Sequence, residues 1–277
     1  MMLLSNWKVT RGRTCYFNKS MDALAEHWRP HNQYPIILMG TEHWKYTDMS
    51  AIRRTWNTLD FKFININSVF QYNPTIPLYQ LEDAKAPLSD LAYKRMCHFF
   101  FYGFTQVPEL MQYKYLMRMD DDTCIHDNIN FDVFAAMEER NAAYGYSSVW
   151  LDPPHVTVGM YSFANDYLKL HNTTYTNTAL YKKALTYNAL PAYNTNLEII
   201  NTVRYTLPPI TSFLNAVVAS NLIFHRRWGD APLRFLVGLL FWRDVDVMQL
   251  NSFDMQHSTW HVDQMQETPL TPAVVLP

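Results

Sequence analysis

The chain is 277 residues long and 48% hydrophobic, enough for one large folded domain and too apolar for a disordered one. A net charge of −2, without any Lys/Arg block, argues against a partner held through nucleic-acid phosphates. Seven glycines, no two in G-x-G spacing, exclude the dinucleotide fingerprint and the Walker loop, so a bound nucleotide would need acids and a metal instead.

In chain order, the opening MMLL is too short for a signal peptide or a membrane span. Residues 15–18 read as a first strand. Ser20 reads as the N-cap of a helix over 21–28, stopped by Pro30. Residues 34–39 (YPIILM) suit a second strand closed by Gly40, 50–56 a helix, and 61–66 (FKFINI) an alternating strand. That order, β-α-β-α-β, predicts a parallel sheet with crossover helices. Residues 71–89, with Pro74, Pro77 and Pro87, read as an irregular connection, followed by a helix over 90–102. Helical periodicity returns at 131–140 and a strand at 143–150, before Pro153 and Pro154. A helix over 160–171 precedes a long surface connection, 172–196, rich in Asn, Thr and Tyr. Beyond it the pattern gives a strand at 197–205, a helix at 208–220, a helix at 231–241 capped by Asp230, and a last strand at 245–250. The three cysteines, Cys15, Cys97 and Cys124, lack zinc-site spacing; one disulfide and three free thiols both remain open, and the low count hints at a reducing compartment.

The most informative stretch is 113–122, YKYLMRMDDD, an apolar strand ending in three carboxylates. Open α/β sheets bind ligands at the carboxyl ends of their strands. Carboxylate oxygens there suit a divalent cation and, through it, a nucleotide-sugar diphosphate. The competing reading is a solvated turn. Glu198, between Leu197 and Ile199, is either an exposed alternating residue or a buried acid able to act as nucleophile or to stabilise a sugar cation. In RWGDAP, residues 227–232, Gly229 permits a tight turn, Asp230 caps a helix, and Trp228 offers a face for stacking a sugar. His257 follows the last strand and alone carries no assignment. The chain contains neither HExxH nor G-x-S-x-G.

Together these segments resemble the fungal α-1,2-mannosyltransferases of glycosyltransferase family 15, the glycolipid 2-alpha-mannosyltransferases. YKRMC (93–97) is similar to the family's YRxMC block, and YKYLMRMDDD with INFDVF (129–134) to its YxYYWRVEPD and later DxDYDVF-like segments. NLEI (196–199) is similar to its NFEI block, and RWGDAP matches letter for letter. The intervals also agree: 27 residues from Tyr93 to Asp120, 29 from Glu198 to Arg227 and 30 from Arg227 to His257. The resemblance implies one α/β, GT-A-like domain over 13–262, with a mixed, mostly parallel central sheet flanked by helices, between an extension (1–12) and an irregular tail (263–277). It implies retaining transfer of mannose from GDP-mannose to a hydroxyl of a mannosylated acceptor, with Mn²⁺ as cofactor. Asp120, Asp122 and His257 would hold the metal, with Tyr93 and Arg118 at the nucleotide sugar. Glu198 would be the candidate nucleophile and Asp230 an acid on the acceptor side.

The chain also departs from the family pattern. Asp120 replaces a Glu, Asp121 a Pro or Gly, and Asp127 stands where a Cys is usual, which argues against a family disulfide involving Cys97. The family's N-terminal Golgi anchor implies either that an anchor precedes this chain or that the protein works unanchored in a cytoplasm. Three other readings stay open: another nucleotide-sugar donor such as a UDP-sugar, a non-catalytic sugar-binding homologue, and a metal-dependent phosphohydrolase.

Overall fold

The computed structural model describes residues 2–4, 13–72, 89–184, 190–250 and 255–257. Among them lie eleven strands: β1 (Met2–Leu4), β2 (Ile36–Gly40), β3 (Phe61–Asn65), β4 (Tyr115–Met119), β5 (Thr123–Ile125), β6 (Tyr144–Tyr146), β7 (Val149–Leu151), β8 (Pro191–Tyr193), β9 (Leu197–Asn201), β10 (Val247–Gln249) and β11 (Met255–His257). Seven form one sheet in the order β10-β6-β9-β4-β1-β2-β3. Every neighbouring pair is parallel except those of β9, which runs antiparallel to both β4 and β6. The expected mixed, mostly parallel sheet of a GT-A-like fold is therefore present.

The sheet is buried on both faces, and the alternation of its strands sorts side chains between two cores. Leu116 of β4, Ile200 of β9 and Ile37 of β2 join one core with Phe99, Phe100, Tyr205, Leu236 and Trp242. Met117 and Met119, Ile199 and Leu38 join the other, with Phe17, Trp28 and Val133. Arg118 pairs in register with Glu198. By parity their side chains share the first face, where the helices Ser89–Phe101 and Asp230–Phe241 pack.

Several local expectations are corrected. The first strand is Met2–Leu4, so part of the expected extension belongs to the sheet, and residues 15–18 lie inside a helix, Arg13–Ala23. Phe17, Met21, Leu24 and Trp28 are all buried at helical spacing, which overrides the short strand-like run. Ser20 is thus a buried mid-helix residue and not an N-cap. The second helix starts earlier, at Tyr46–Thr55. The 143–150 strand divides into β6 and β7, which join different sheets. The 172–196 connection contains a helix, Thr178–Ala184, and the buried strand β8; Asn177 accepts from the amide of Leu180, so its polarity serves a helix start. The strand over 197–205 ends at Asn201, whose side chain accepts from the amide of Arg204 and opens a short helix, Thr202–Tyr205. A tight turn, Asp244–Asp246, takes the beginning of the last strand. The connection over 73–88 and the tail over 263–277 lie outside the described residues. Among the described residues no helix is long and apolar enough to cross a membrane.

Candidate active site

The acids of the 113–122 stretch sit at the carboxyl edge of the sheet. β4 stops at Met119, and the next three residues turn the chain into β5. The amide of Asp120 donates to the carbonyl of Asn196 (3.0 Å), and that of Thr123 to the carbonyl of Asp120 (3.0 Å). Ser20 adds a long-range tie, its Oγ donating to the carbonyl of Asp121 at 3.1 Å. The turn is thus fixed by backbone contacts. Asp122 is buried, whereas the Asp120 side chain keeps 25% of its surface. β11 lies antiparallel to β5, with His257 in register with Thr123. The backbone of His257 therefore runs beside the residue that follows Asp122. No ready-made group of three metal-ligating side chains occurs among the described residues.

Arg118 is the hub behind these acids. It is buried, yet its Nε donates to Asp120 Oδ1 (3.1 Å), its Nη1 to Asp230 Oδ2 (2.5 Å), and Nη1 also lies 3.6 Å from Glu198 Oε1. Its guanidinium stacks over the Phe100 ring at 3.6 Å. Burial lowers its pKa, but Asp120, Asp230 and Glu198 outweigh that and hold it above the usual value. Arg118, expected at the nucleotide sugar, spends Nε and Nη1 on the protein's own carboxylates and Nη2 on Met96 Sδ at 3.7 Å.

Glu198 has no exposed surface, which removes the reading of an exposed alternating residue. Its Oε2 accepts from Tyr144 Oη (2.8 Å) and Arg234 Nε (3.1 Å). Asp230 does not cap its helix through its side chain. Gly229 takes the N-cap position, and the Asp230 carboxylate reaches Arg118. Trp228 is also not free to stack a sugar. It is buried against Phe163, and its Nε1 donates to the carbonyl of Val158 at 2.9 Å.

Tyr93 marks the outer rim. It stays 36% exposed, with the Arg227 guanidinium 4.3 Å from its ring centroid. Cys97, burial and Asp230 together raise its phenol pKa, so the ring presents a neutral hydroxyl. Cys97, which is buried, and Cys124 are free thiols, in line with the departure from a family disulfide. The sequence reading missed Asp152. Its carboxyl accepts from Trp150 Nε1 (3.0 Å), and burial raises its pKa, reinforced by the charge of Asp230. An acid directly after a strand and before two prolines was the available signal.

The family model described as glycolipid 2-alpha-mannosyltransferase matches residues 17–269. The chain is 26% identical over 162 residues to the probable mannosyltransferase KTR4 of Saccharomyces cerevisiae, covering 54% of this chain and 35% of that protein. It is 22% identical over 293 residues to O-glycoside alpha-1,2-mannosyltransferase homolog 4 of Schizosaccharomyces pombe, covering 87% and 66%. It therefore spans well under two thirds of the first of these relatives. Among solved structures, the Mn/GDP form of core-mannan synthase A from Aspergillus fumigatus superposes with a TM-score of 0.80 at 19% identity, over 93% of this chain and 73% of that one. The mannosyltransferase Ktr4p from S. cerevisiae gives 0.80 at 20% identity, over 93% and 70%. At these identities the superpositions establish the fold.

Proposed function

The chain belongs to the glycolipid 2-alpha-mannosyltransferase family, and on that premise we propose that it moves mannose from GDP-mannose to a hydroxyl of a mannosylated acceptor, with retention and through an α-1,2 link. The observation that carries this reading is convergence at one sheet edge. Asp120 and Asp122 follow β4, the backbone of His257 is brought alongside them by the β5–β11 pair, and Arg118 ties Asp120 to Asp230 while standing beside Glu198.

The residues fit a manganese ion in kind: carboxylate oxygens from Asp120 and Asp122 and an imidazole from His257 are ligands that Mn²⁺ accepts together. When bound, it would supply Lewis-acid neutralisation of the departing diphosphate. The chain's own residues do the rest. Tyr93, held beside Arg227, offers a ring and a neutral hydroxyl to the nucleotide sugar. Glu198 opposes the positive charge that grows on the anomeric carbon as the donor bond breaks, the task a carboxylate performs in retaining glycosyl transfer. Asp230 and Asp152 line the acceptor side, where an acid can orient the incoming hydroxyl. With a net charge of only −2 and no glycine cradle, the protein depends on the cation for holding a diphosphate.

The test is Mn²⁺-dependent GDP release from GDP-mannose with mannobiose as acceptor, followed by linkage analysis of the product. His257→Ala and Glu198→Ala should both abolish turnover, and unchanged turnover in the pair would remove this site. A thermal-shift panel with Mn²⁺ checks the donor: a larger shift from UDP than from GDP would overturn the assignment of GDP-mannose.

A further inference from the structure

We propose that Tyr144 and Arg234 are positioning residues for Glu198, gripping one carboxylate oxygen so that the other is reserved for the reacting sugar. This rests on the reading of Glu198 as the carboxylate that meets the sugar cation.

The two oxygens of Glu198 are treated very differently. Oε2 accepts from both Tyr144 Oη and Arg234 Nε, at 2.8 and 3.1 Å. Oε1 is buried and accepts no hydrogen bond among the described residues. Its neighbour is Arg118 Nη1 at 3.6 Å, on the side where Arg118 meets Asp230 and Asp120. A pair built for stability alone would close as a fork, with two parallel N–H···O bonds. Here Arg234 uses Nε only. Its Nη2 donates instead to the carbonyl of Phe100 at 2.7 Å, and its Nη1, also buried, bonds nothing among the described residues. Leaving a buried donor and a buried acceptor without hydrogen bonds carries a desolvation cost. The longer Arg118 contact offsets part of that cost, and an oxygen held for the reacting sugar accounts for the rest.

The grip is rigid because its parts are held independently. Tyr144, Arg234 and Glu198 all have no exposed surface. Tyr144 stacks on Trp242 (centroids 5.3 Å apart) and leans on Tyr193 at 4.8 Å. The Arg234 guanidinium lies 4.4 Å over the ring of Tyr205, whose hydroxyl donates to the carbonyl of Phe101. Asp230 and Arg234 stand one helical turn apart, so the first turn of one helix holds both Arg118 and Glu198.

Tyr144→Phe removes one bond to Oε2 and keeps the ring. It should lower kcat about tenfold or more while KM for GDP-mannose and the thermal shift given by GDP with Mn²⁺ stay within about twofold of wild type. Arg234→Lys, which restores a cation, should recover part of the kcat that Arg234→Met loses. Turnover of Tyr144→Phe within about twofold of wild type would overturn the proposal, as would a kcat loss in all three variants that merely follows the loss of folded protein. If the wild type itself released no GDP from any nucleotide sugar, the functional reading would fall and the clamp with it. An active wild type beside an unimpaired Tyr144→Phe would sink the clamp alone.

Discussion

A guanidinium shared by carboxylates in a dry site holds them all hostage. Arg118 neutralises Asp230 and Asp120 directly and stands against Glu198, and Asp230 and Glu198 are almost fully buried. Taking such a cation away leaves buried anions with no compensation, which costs far more than the pair is worth when intact. Arg118→Met should therefore lower unfolding free energy by roughly 3–5 kcal/mol in urea titration at neutral pH. A loss below about 1 kcal/mol would show that the acids find other cover. This is also where reading the chain alone reached its limit. Glu198 was conspicuous as an acid between Leu197 and Ile199, but whether it was buried depended on partners that lie 54 and 36 residues away, Tyr144 and Arg234. Trp228 and Asp230 failed in the same way. Local chemistry suggested a stacking face and a cap, and tertiary contacts with Val158 and Arg118 took both side chains.

At the scale of elements, the Ser89–Phe101 helix carries Tyr93 on its exposed side and His98 on its buried side. The His98 ring stacks on Tyr72 at 4.2 Å, and neither ring nitrogen has a hydrogen-bond partner among the described residues. Burial lowers its pKa from 6.5 to about 4. Above pH 6.5 both folded and unfolded chains hold a neutral imidazole, and the group has no effect. As pH falls below that value the unfolded chain takes up a proton that the folded chain refuses, so stability drops until about pH 4, by roughly 3 kcal/mol in all. Denaturation at pH 7 and pH 4.5 should show His98→Leu losing less stability over that interval than wild type; equal losses would rule the histidine out as the cause. A second element carries its own test. The helix Val133–Glu139 starts at Asp132, whose carboxylate accepts from the amide of Ala135 (2.9 Å) and from Tyr34 Oη (2.7 Å). Asp132→Ala should cost about 1–2 kcal/mol by the same measurement. Long periodic segments such as this one were legible, and so were β2, β3 and the helix Pro208–Ser220. The start of the chain was not. Three residues are too few for β1 to declare itself, and the run at 15–18 mimics a strand until the buried face from Phe17 to Trp28 is counted at helical spacing.

At the scale of the whole molecule, the acids of the proposed site lie where two sheets meet. The seven-stranded sheet ends β4 at the acids, and the separate β5–β11 pair carries the chain that follows them back alongside His257. No periodicity in the sequence could announce that pairing, because it joins segments far apart in the chain; the interval from Arg227 to His257, compared with a family pattern, singled out His257 and not its strand partner. The arrangement would separate folding from the proposed metal binding. Among the described residues β11 pairs with β5 alone and adds no strand to the order β10-β6-β9-β4-β1-β2-β3. Removing residues 251–277 should therefore leave a cooperative thermal transition with a lower midpoint, since the seven-stranded sheet keeps all its strands. Ligand response should change much more: Mn²⁺ with GDP should raise the midpoint of the full chain by linkage and leave that of the shortened chain nearly where it was. If the shortened protein keeps the full ligand-induced shift, the imidazole of His257 is not a ligand, and the carboxylates of Asp120 and Asp122 must hold the cation without it.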